Sequence, residues 1–246
     1  MCTLLLHHLP GAAFPLLIAA NRDEMLARPC LPPAAHWPQT PTLIGGLDTL
    51  AGGTWLAINS HGVVAGILNS PGTLGPAAGK ASRGHLPLTA LAHPTAESAA
   101  IALHGENGAE YRGFNLVIAD RHSAWFLTQG AHAQIEAQKL PPGFTMVTAL
   151  APNNPASPRV ARQLPKFQAA PLPIPPDWAS WPDLLSDNAA PWESAISLDQ
   201  RSGFGTASAS LIALTAAGRA QFLYSGTQPH GKMSFSAIDL PKTLAI

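Results

Sequence analysis

The sequence predicts an α+β protein whose antiparallel sheets form a four-layer αββα sandwich. Hairpin patterns stand at both ends of the chain, and Ala- and Leu-rich helical segments lie between them. Residues 16–19 and 116–119 are apolar at successive positions, which is typical of strands buried on both faces. Such burial arises when a sheet packs on a second sheet and on helices, so we expect four layers.

The strands are predicted from apolar runs that flank short turns. Four hairpins are expected, pairing residues 3–8 with 14–20, 55–59 with 63–69, 114–120 with 124–129, and 207–214 with 220–224. A further strand is expected over 144–150. Gly45-Gly46 and Gly52-Gly53 have the spacing of backbone-permissive loop positions, so we expect loops there.

Helices are expected between the hairpins. Residues 86–104 predict two helices interrupted by Pro94, with Thr95 and Ser98 at the start of the second. Residues 157–167 predict a third helix, with Pro158 in its first turn.

A proline-rich stretch bears on the number of domains. Residues 171–182 contain five prolines and two tryptophans, and residues 181–188 predict a short helix at its end. The stretch fits either a linker or a proline-pinned surface segment. Hairpin strands resume beyond it, which favours the second, so we expect a single domain over 1–246.

The composition argues against several classes of partner. Lys and Arg number 14, Asp and Glu also number 14, and no basic stripe occurs, unlike in proteins that bind nucleic acid. The apolar run at 14–20 has no Lys or Arg before it, which disfavours a secretory signal. No apolar run approaches the ~20 residues of a membrane helix. Only two cysteines occur, so we expect a reduced, cytoplasmic protein.

Ten histidines raise the question of a metal. His7 and His8 are adjacent, so on a strand they point to opposite faces and do not readily share one ion. No Cys-x-x-Cys pair and no His-Glu-x-x-His helix occurs. We therefore expect no metal site and no cofactor.

Cys2 is the main candidate for chemistry. If Met1 is removed, Cys2 carries a thiol and a free α-amine, whose unperturbed pKa of ~7.7–8.0 suits it to accept the thiol proton. N-terminal Thr, Ser and Cys residues become nucleophiles in this way. The alternative is that Cys2 is a small hydrophobic residue at a strand end.

Polar residues follow the strand that would pair with the Cys2 strand. A hairpin brings its outer ends together, so Cys2 and the Asn21 to Asp23 group should be neighbours. A carboxylate there can orient the amine, and a guanidinium can lower a thiol pKa or hold a substrate carboxylate. Asn69, at the end of its strand, and Asn115, just inside its strand, are candidate oxyanion donors. Each also fits an ordinary turn or strand-end residue.

The chain resembles the NRDE family, which carries a transport and Golgi organisation name in eukaryotes. The motifs that match are Met1-Cys2, Ala20-Asn21-Arg22-Asp23-Glu24, Arg28-Pro29, Gly45-Gly46-Leu47-Asp48, Gly52-Gly53-Thr54-Trp55, Ser82-Arg83-Gly84 and Gly113-Phe114-Asn115-Leu116, with Gly62, Ala65 and Asn69. Together they cover the first half of the chain.

The resemblance implies an N-terminal-nucleophile-like fold, similar to the cysteine amidases that cleave penicillin V and conjugated bile salts. It implies Cys2 as nucleophile, Asp23 as the residue orienting its amine and Asn69 in the oxyanion region. The residues expected to bind substrate are Asn21, Arg22, Trp55, Arg83 and Asn115. In the second half, Ala207 stands where the family often has an arginine, and the stretch 223–225 also departs from the pattern.

Three functions are compatible with these residues. The first is a cysteine hydrolase that cleaves a linear amide, ester or thioester through an acyl-enzyme on Cys2. The second is a non-enzymatic carrier for haem or an acyl-CoA, with an axial ligand from among His7, His8, His61 and His85. The third is a fold without chemistry, in which Arg22 and Asp23 form a buried brace and Trp55 anchors the core. The substrate and oligomeric state stay open.

Overall fold

The computed structural model describes residues 2–130, 133–226 and 233–245. The strands are β1 (Thr3–His8), β2 (Leu16–Met25), β3 (Cys30–Ala34), β4 (Ile44–Asp48), β5 (Leu56–Ile58), β6 (Val64–Asn69), β7 (Phe114–Ala119), β8 (Ala124–Gln129), β9 (Ile135–Lys139), β10 (Gly143–Val147), β11 (Phe204–Leu214), β12 (Ala220–Gly226) and β13 (Ser236–Ala237). The helices are α1 (His85–Ala90), α2 (Ala96–Leu103), α3 (Pro158–Ala169) and α4 (Trp181–Leu185). No helix in the described ranges has the length and apolar character needed to cross a bilayer.

The strands form two antiparallel sheets. The first sheet has the order β10-β1-β2-β11-β12-β13, and the second runs from β3 to β9 in chain order. The four predicted hairpins are all present, as β1–β2, β5–β6, β7–β8 and β11–β12. The prediction of antiparallel sheets is therefore confirmed.

Three hydrophobic cores separate four layers. Leu6, Ile18 and Ile212 lie between the two sheets. The outer face of the second sheet packs on α1 and α2, and the outer face of the first packs on α3 and α4. Leu5, next to Leu6, belongs to the outer core, so β1 is buried on both faces as its continuous apolar pattern predicts. Each such side chain contributes about 1.5–3 kcal/mol through burial.

The layer beneath α3 includes the proline-rich stretch. Trp178 and Trp181 are buried there, and the Trp181 ring meets Phe167 of α3 edge-on at 5.4 Å between ring centroids. Residues 171–182 thus supply core side chains to the first sheet. At α2, the Thr95 side chain accepts from the Ser98 amide at 3.0 Å, which is the predicted start of that helix.

The interpretation of Gly45-Gly46 as loop positions was wrong, because both lie within β4. A Cβ on Gly45 would come within 2.3 Å of the Ala57 Cβ on the neighbouring strand. These glycines permit close packing in a strand, and sequence spacing does not distinguish that from a flexible loop. The pairing of β3 with β4 was also not predicted; β3 is an edge strand, which tolerates its prolines.

Buried histidines on β1 predict a pH-dependent stability. The His7 ring packs 4.6 Å from Phe144, and burial lowers the pKa of His7 below its ordinary value. The unfolded chain therefore binds the proton more readily, so the stabilisation is complete above about pH 6.5 and decreases as the pH falls below it. We expect His7→Phe to flatten the fall in urea midpoint between pH 7.5 and pH 5.5, whereas exposed His61→Gln leaves it unchanged. An unaltered slope in His7→Phe would contradict this.

Candidate active site

Cys2 lies just before β1 at the end of the first hairpin. Its Sγ is 3.4 Å from the backbone nitrogen of Asp23 and 3.5 Å from the backbone oxygen of the same residue. The pairing of Thr3 with Asn21 sets this neighbourhood, as the hairpin argument predicts. The Cys2 side chain is half-buried and lines a cleft of about 220 Å³ at the end of the space between the sheets.

The protein environment disfavours the Cys2 thiolate. Burial raises the pKa of Cys2 above its ordinary value, and the negative charge of Asp23 raises it further. Arg22 opposes this effect, because a nearby positive charge stabilises the thiolate. A nucleophile at this position therefore requires a base that accepts the thiol proton.

Asp23 is held by a buried network on the outer face of the first sheet. Its Oδ2 accepts from Arg159 Nη1 at 2.9 Å, and its Oδ1 accepts from the Thr206 hydroxyl at 2.6 Å. The same Arg159 nitrogen donates to the Thr3 hydroxyl at 2.8 Å. Thr3 directly follows Cys2, and the backbone of Asp23 contacts the Cys2 sulfur. The network therefore fixes β1 and β2, the two strands that carry the site.

Arg22 points to the other face of the sheet, into the cleft. Its guanidinium carbon lies 4.4 Å from the centre of the Trp55 ring, Nη1 lies 3.5 Å from Cys30 Sγ, and Nη2 lies 4.0 Å from a Glu24 carboxylate oxygen. Only 7% of the Arg22 side chain is exposed. Trp55 thus positions a buried cation beside Cys2.

The Trp55 ring in turn requires the glycine at position 46. A Cβ there would lie 2.1 Å from Trp55 Cζ2. We expect Gly46→Ala to displace the ring, lower the free energy of unfolding by about 1–3 kcal/mol and change tryptophan emission. The matched control is Gly226→Ala, since the nearest atom of the described residues to its Cβ would be Tyr224 Cε1 at 3.9 Å. Equal effects of the two substitutions would contradict the packing argument.

The three candidate asparagines have different surroundings. Asn69 ends β6 and lines the cleft, and its side-chain amide has no hydrogen-bond partner among the described residues. Asn115 instead donates to the backbone oxygens of Thr148 and Ala149, both at 2.9 Å, and so ties the two sheets together. Asn21 donates to the Leu185 and Ile196 oxygens on the outer face. Of the three, only Asn69 lines this cleft with an amide that no other described residue engages.

Arg83 lines the opposite wall of the cleft. Its guanidinium donates to the backbone oxygens of Thr73, Gly75 and Gly113, at 2.7 to 3.2 Å. Burial lowers the pKa of Arg83, and the charge of Arg112 lowers it further. Arg83 thus braces the loop over 70–83 and brings its charge to the cleft at the same time.

Two pairs of the matched motifs meet at the rim of the cleft. Arg28 donates to Asp48 Oδ2 through Nε at 2.9 Å and Nη2 at 2.6 Å. Gly53 crosses Gly84 so closely that a Cβ on Gly53 would lie 2.5 Å from the Gly84 carbonyl carbon. These contacts explain why residues far apart in the sequence form one pattern.

The proposed brace between Arg22 and Asp23 is not the arrangement found, because adjacent strand residues point to opposite faces. Asp23 instead forms an ion pair with Arg159, in the first turn of α3, which the sequence reasoning missed. A buried arginine after a Ser-Pro helix start is a weak signal, and 136 residues separate the pair. Ala207 lies where the pairing of β11 with β2 shifts register, next to Thr206.

Solved structures define the class of fold. The chain aligns with a Caenorhabditis elegans orthologue of N-acylethanolamine-hydrolyzing acid amidase with a TM-score of 0.61 and 10% identity, covering 97% of this chain and 100% of that one. A conjugated bile acid hydrolase from Clostridium perfringens aligns with a TM-score of 0.53 and 11% identity, covering 100% and 99%. The protein therefore has the fold of N-terminal-nucleophile hydrolases, as the resemblance implied.

The sequence identifies the family. Residues 1–172 match the family model described as Transport and Golgi organisation 2, and the chain belongs to that family. The Bos taurus homologue of Transport and Golgi organization protein 2 is 35% identical over 114 residues, which cover 44% of this chain and 40% of the relative. The Homo sapiens homologue is 34% identical over 117 residues, covering 46% and 41%. Each match thus spans about two fifths of the relative's length.

Proposed function

We propose that this protein is a cysteine hydrolase that cleaves a linear amide, ester or thioester through an acyl-enzyme on Cys2. The observation that carries the proposal is the position of the Cys2 sulfur, which lies at the cleft beside Arg22 and is held by the backbone of Asp23. Asn69 lines the same cleft, and its amide has no hydrogen-bond partner in the part of the chain that the structure describes. A nucleophile, a cation and an amide donor thus share one space.

The mechanism depends on removal of Met1, which lies outside the described residues. The α-amine of Cys2 then accepts the thiol proton, and Sγ attacks the substrate carbonyl carbon. In this proposal the Asn69 amide donates to the developing oxyanion. The bond to the leaving group breaks as that group takes the proton from the ammonium. Water, deprotonated by the amine, then attacks the thioester, which releases the acid and restores the thiol.

Asp23 acts as a positioning residue in this proposal. Its carboxylate is anchored by Arg159 and Thr206, and its backbone contacts the Cys2 sulfur. The names of the two aligned structures, an acid amidase and a bile acid hydrolase, support acyl transfer to water as the reaction class. Both cysteines are free thiols, which supports a reducing, cytoplasmic location.

The carrier alternative has less support from the geometry. His7 and His8 are buried on β1, and His61 and His85 are exposed. None of these four lines the cleft beside Cys2. The cleft residues do not fit histidine-ligated haem, so we derive no step through haem.

The proposal is tested by the reactivity of the native thiols. Purified protein is treated briefly with limiting iodoacetamide at neutral pH, and intact mass and peptide mapping follow. We expect Met1 to be absent and Cys2 to alkylate faster than Cys30, because the α-amine freed by Met1 removal accepts the Cys2 thiol proton, whereas Cys30 carries no such amine. Retained Met1, or Cys2 slower than Cys30, would contradict the hydrolase proposal.

A further inference from the structure

The charges around the cleft are unequal. Five of the fourteen Lys and Arg residues line it, namely Arg22, Arg28, Lys80, Arg83 and Arg112, against two carboxylates, Glu24 and Asp48. The whole chain has a formal net charge of zero. The cleft therefore concentrates positive charge that the rest of the molecule balances elsewhere.

Two of the five cations are neutralised locally. Arg28 is paired with Asp48 at 2.6 Å, and Arg22 has Glu24 at 4.0 Å. The other three cations of the cleft are Lys80, Arg83 and Arg112, which we call the cationic wall.

Among the described residues, the hydrogen bonds of the cationic wall go to neutral groups only. Arg112 donates to the backbone oxygens of Gly72, Leu74, Gly75 and Pro76. Lys80 donates to the Ala109 oxygen. Within residues 2–130, 133–226 and 233–245, no carboxylate oxygen lies within 4 Å of the charged nitrogens of the three side chains. The carbonyls fix the positions of the charges without cancelling them.

We propose that the cationic wall binds an anionic group, a carboxylate or a phosphate, on the substrate whose acyl bond Cys2 cleaves. This inference rests on the proposed function and narrows its substrate class to anionic amides, esters or thioesters. The wall is a cleft surface with fixed positive charges, which focuses the field and raises the local concentration of anions. Hydrolysis leaves the anionic group chemically unchanged.

The side chains differ in how freely they reach a ligand. Arg83 and Arg112 each donate to four carbonyl or hydroxyl oxygens, whereas Lys80 is exposed and its ammonium makes one hydrogen bond to the described residues, to the Ala109 oxygen. We assign the direct contact to Lys80 and the background field to the two arginines. Lys80 is also the residue that can be changed without disturbing the loop that the arginines brace.

The test compares the rates at which an anionic and a neutral alkylating reagent modify Cys2. Iodoacetate carries a carboxylate and iodoacetamide is neutral, yet both require the same thiolate, so the ratio of their rates is independent of the thiol pKa. We expect this ratio at Cys2 to exceed that of N-acetylcysteinamide about threefold or more at low salt, and Lys80→Glu to lower it by about threefold. Acetate and inorganic phosphate, compared at equal ionic strength as competitors of iodoacetate, identify which anion the wall prefers.

The matched control is Lys139→Glu. Lys139 is an exposed residue of β9 that does not line the cleft, so the same change in net charge should leave the ratio unaltered. Arg22 contributes equally to the rate ratio in both variants. The difference between the ratios of Lys80→Glu and Lys139→Glu therefore measures the effect of the cationic wall alone. Equal ratios in Lys80→Glu and Lys139→Glu would overturn the proposal. Rapid labelling by iodoacetamide in that case would leave the reactive thiol, and with it the hydrolase proposal, intact.

Discussion

Replacing Cys2 with alanine is expected to abolish acyl hydrolysis, with a loss of at least about 10⁴-fold in kcat. The reason is that every step of the proposed reaction passes through its sulfur, and removal of a covalent nucleophile leaves only binding and oxyanion stabilisation. The measurement is turnover of an anionic acyl thioester or activated ester by purified protein. Substrate affinity should change little, because the cationic wall and Arg22 are untouched.

The other cysteine supplies the control for this prediction. Cys30 is a free thiol that contacts Arg22 from the side of β3 and does not line the cleft. Cys30→Ala should therefore retain most of the turnover. Full activity in Cys2→Ala, or equal losses in both variants, would contradict a nucleophilic role for Cys2.

The second large effect concerns stability. We expect Arg159→Met to lower the free energy of unfolding by about 3–5 kcal/mol, because it removes a buried ion pair to the Asp23 carboxylate. The Asp23 and Arg159 side chains are 0% and 4% exposed, so water does not replace the lost contact. The measurement is urea unfolding near neutral pH.

A second arginine provides the comparison. Arg28 pairs with Asp48, and their side chains are 23% and 16% exposed. Because solvent screens that pair, Arg28→Met should cost only about 1 kcal/mol or less. The double substitution Asp23→Asn with Arg159→Met should recover part of the loss, since it removes both buried charges. A similar cost for Arg159→Met and Arg28→Met would contradict the assignment of Arg159 as the buried anchor.

The layered fold was readable from the sequence because its signals are local. Continuous apolar runs such as Leu16–Leu17–Ile18–Ala19 demand burial on both faces, and turn residues mark the hairpins. The same hairpin logic placed Cys2 beside Asp23, since antiparallel pairing brings the outer ends of two strands together. Thr95 and Ser98 marked the start of α2 for an equally local reason.

The site was only partly readable, because its remaining contacts join distant segments. The anchoring of Asp23 by Arg159 and Thr206 depends on how α3 and β11 pack on β2, which no local pattern reports. The opposite charges of Arg22 and Asp23 suggest an ion pair. However, adjacent residues of a strand point to opposite faces of the sheet, so the two side chains do not meet. Asn115 looked like an oxyanion donor until its amide was seen to bridge the sheets.

The central claim is a covalent intermediate on Cys2, and trapping it is the most direct test. Native protein is mixed with an anionic acyl thioester, quenched in acid within seconds, and examined by intact mass and peptide mapping. The account predicts one acyl group on the peptide that begins with Cys2, removable by neutral hydroxylamine as a thioester and absent in Cys2→Ala. An acyl group on Cys30 instead, or no adduct on protein that lacks Met1 and has a reactive Cys2, would contradict it.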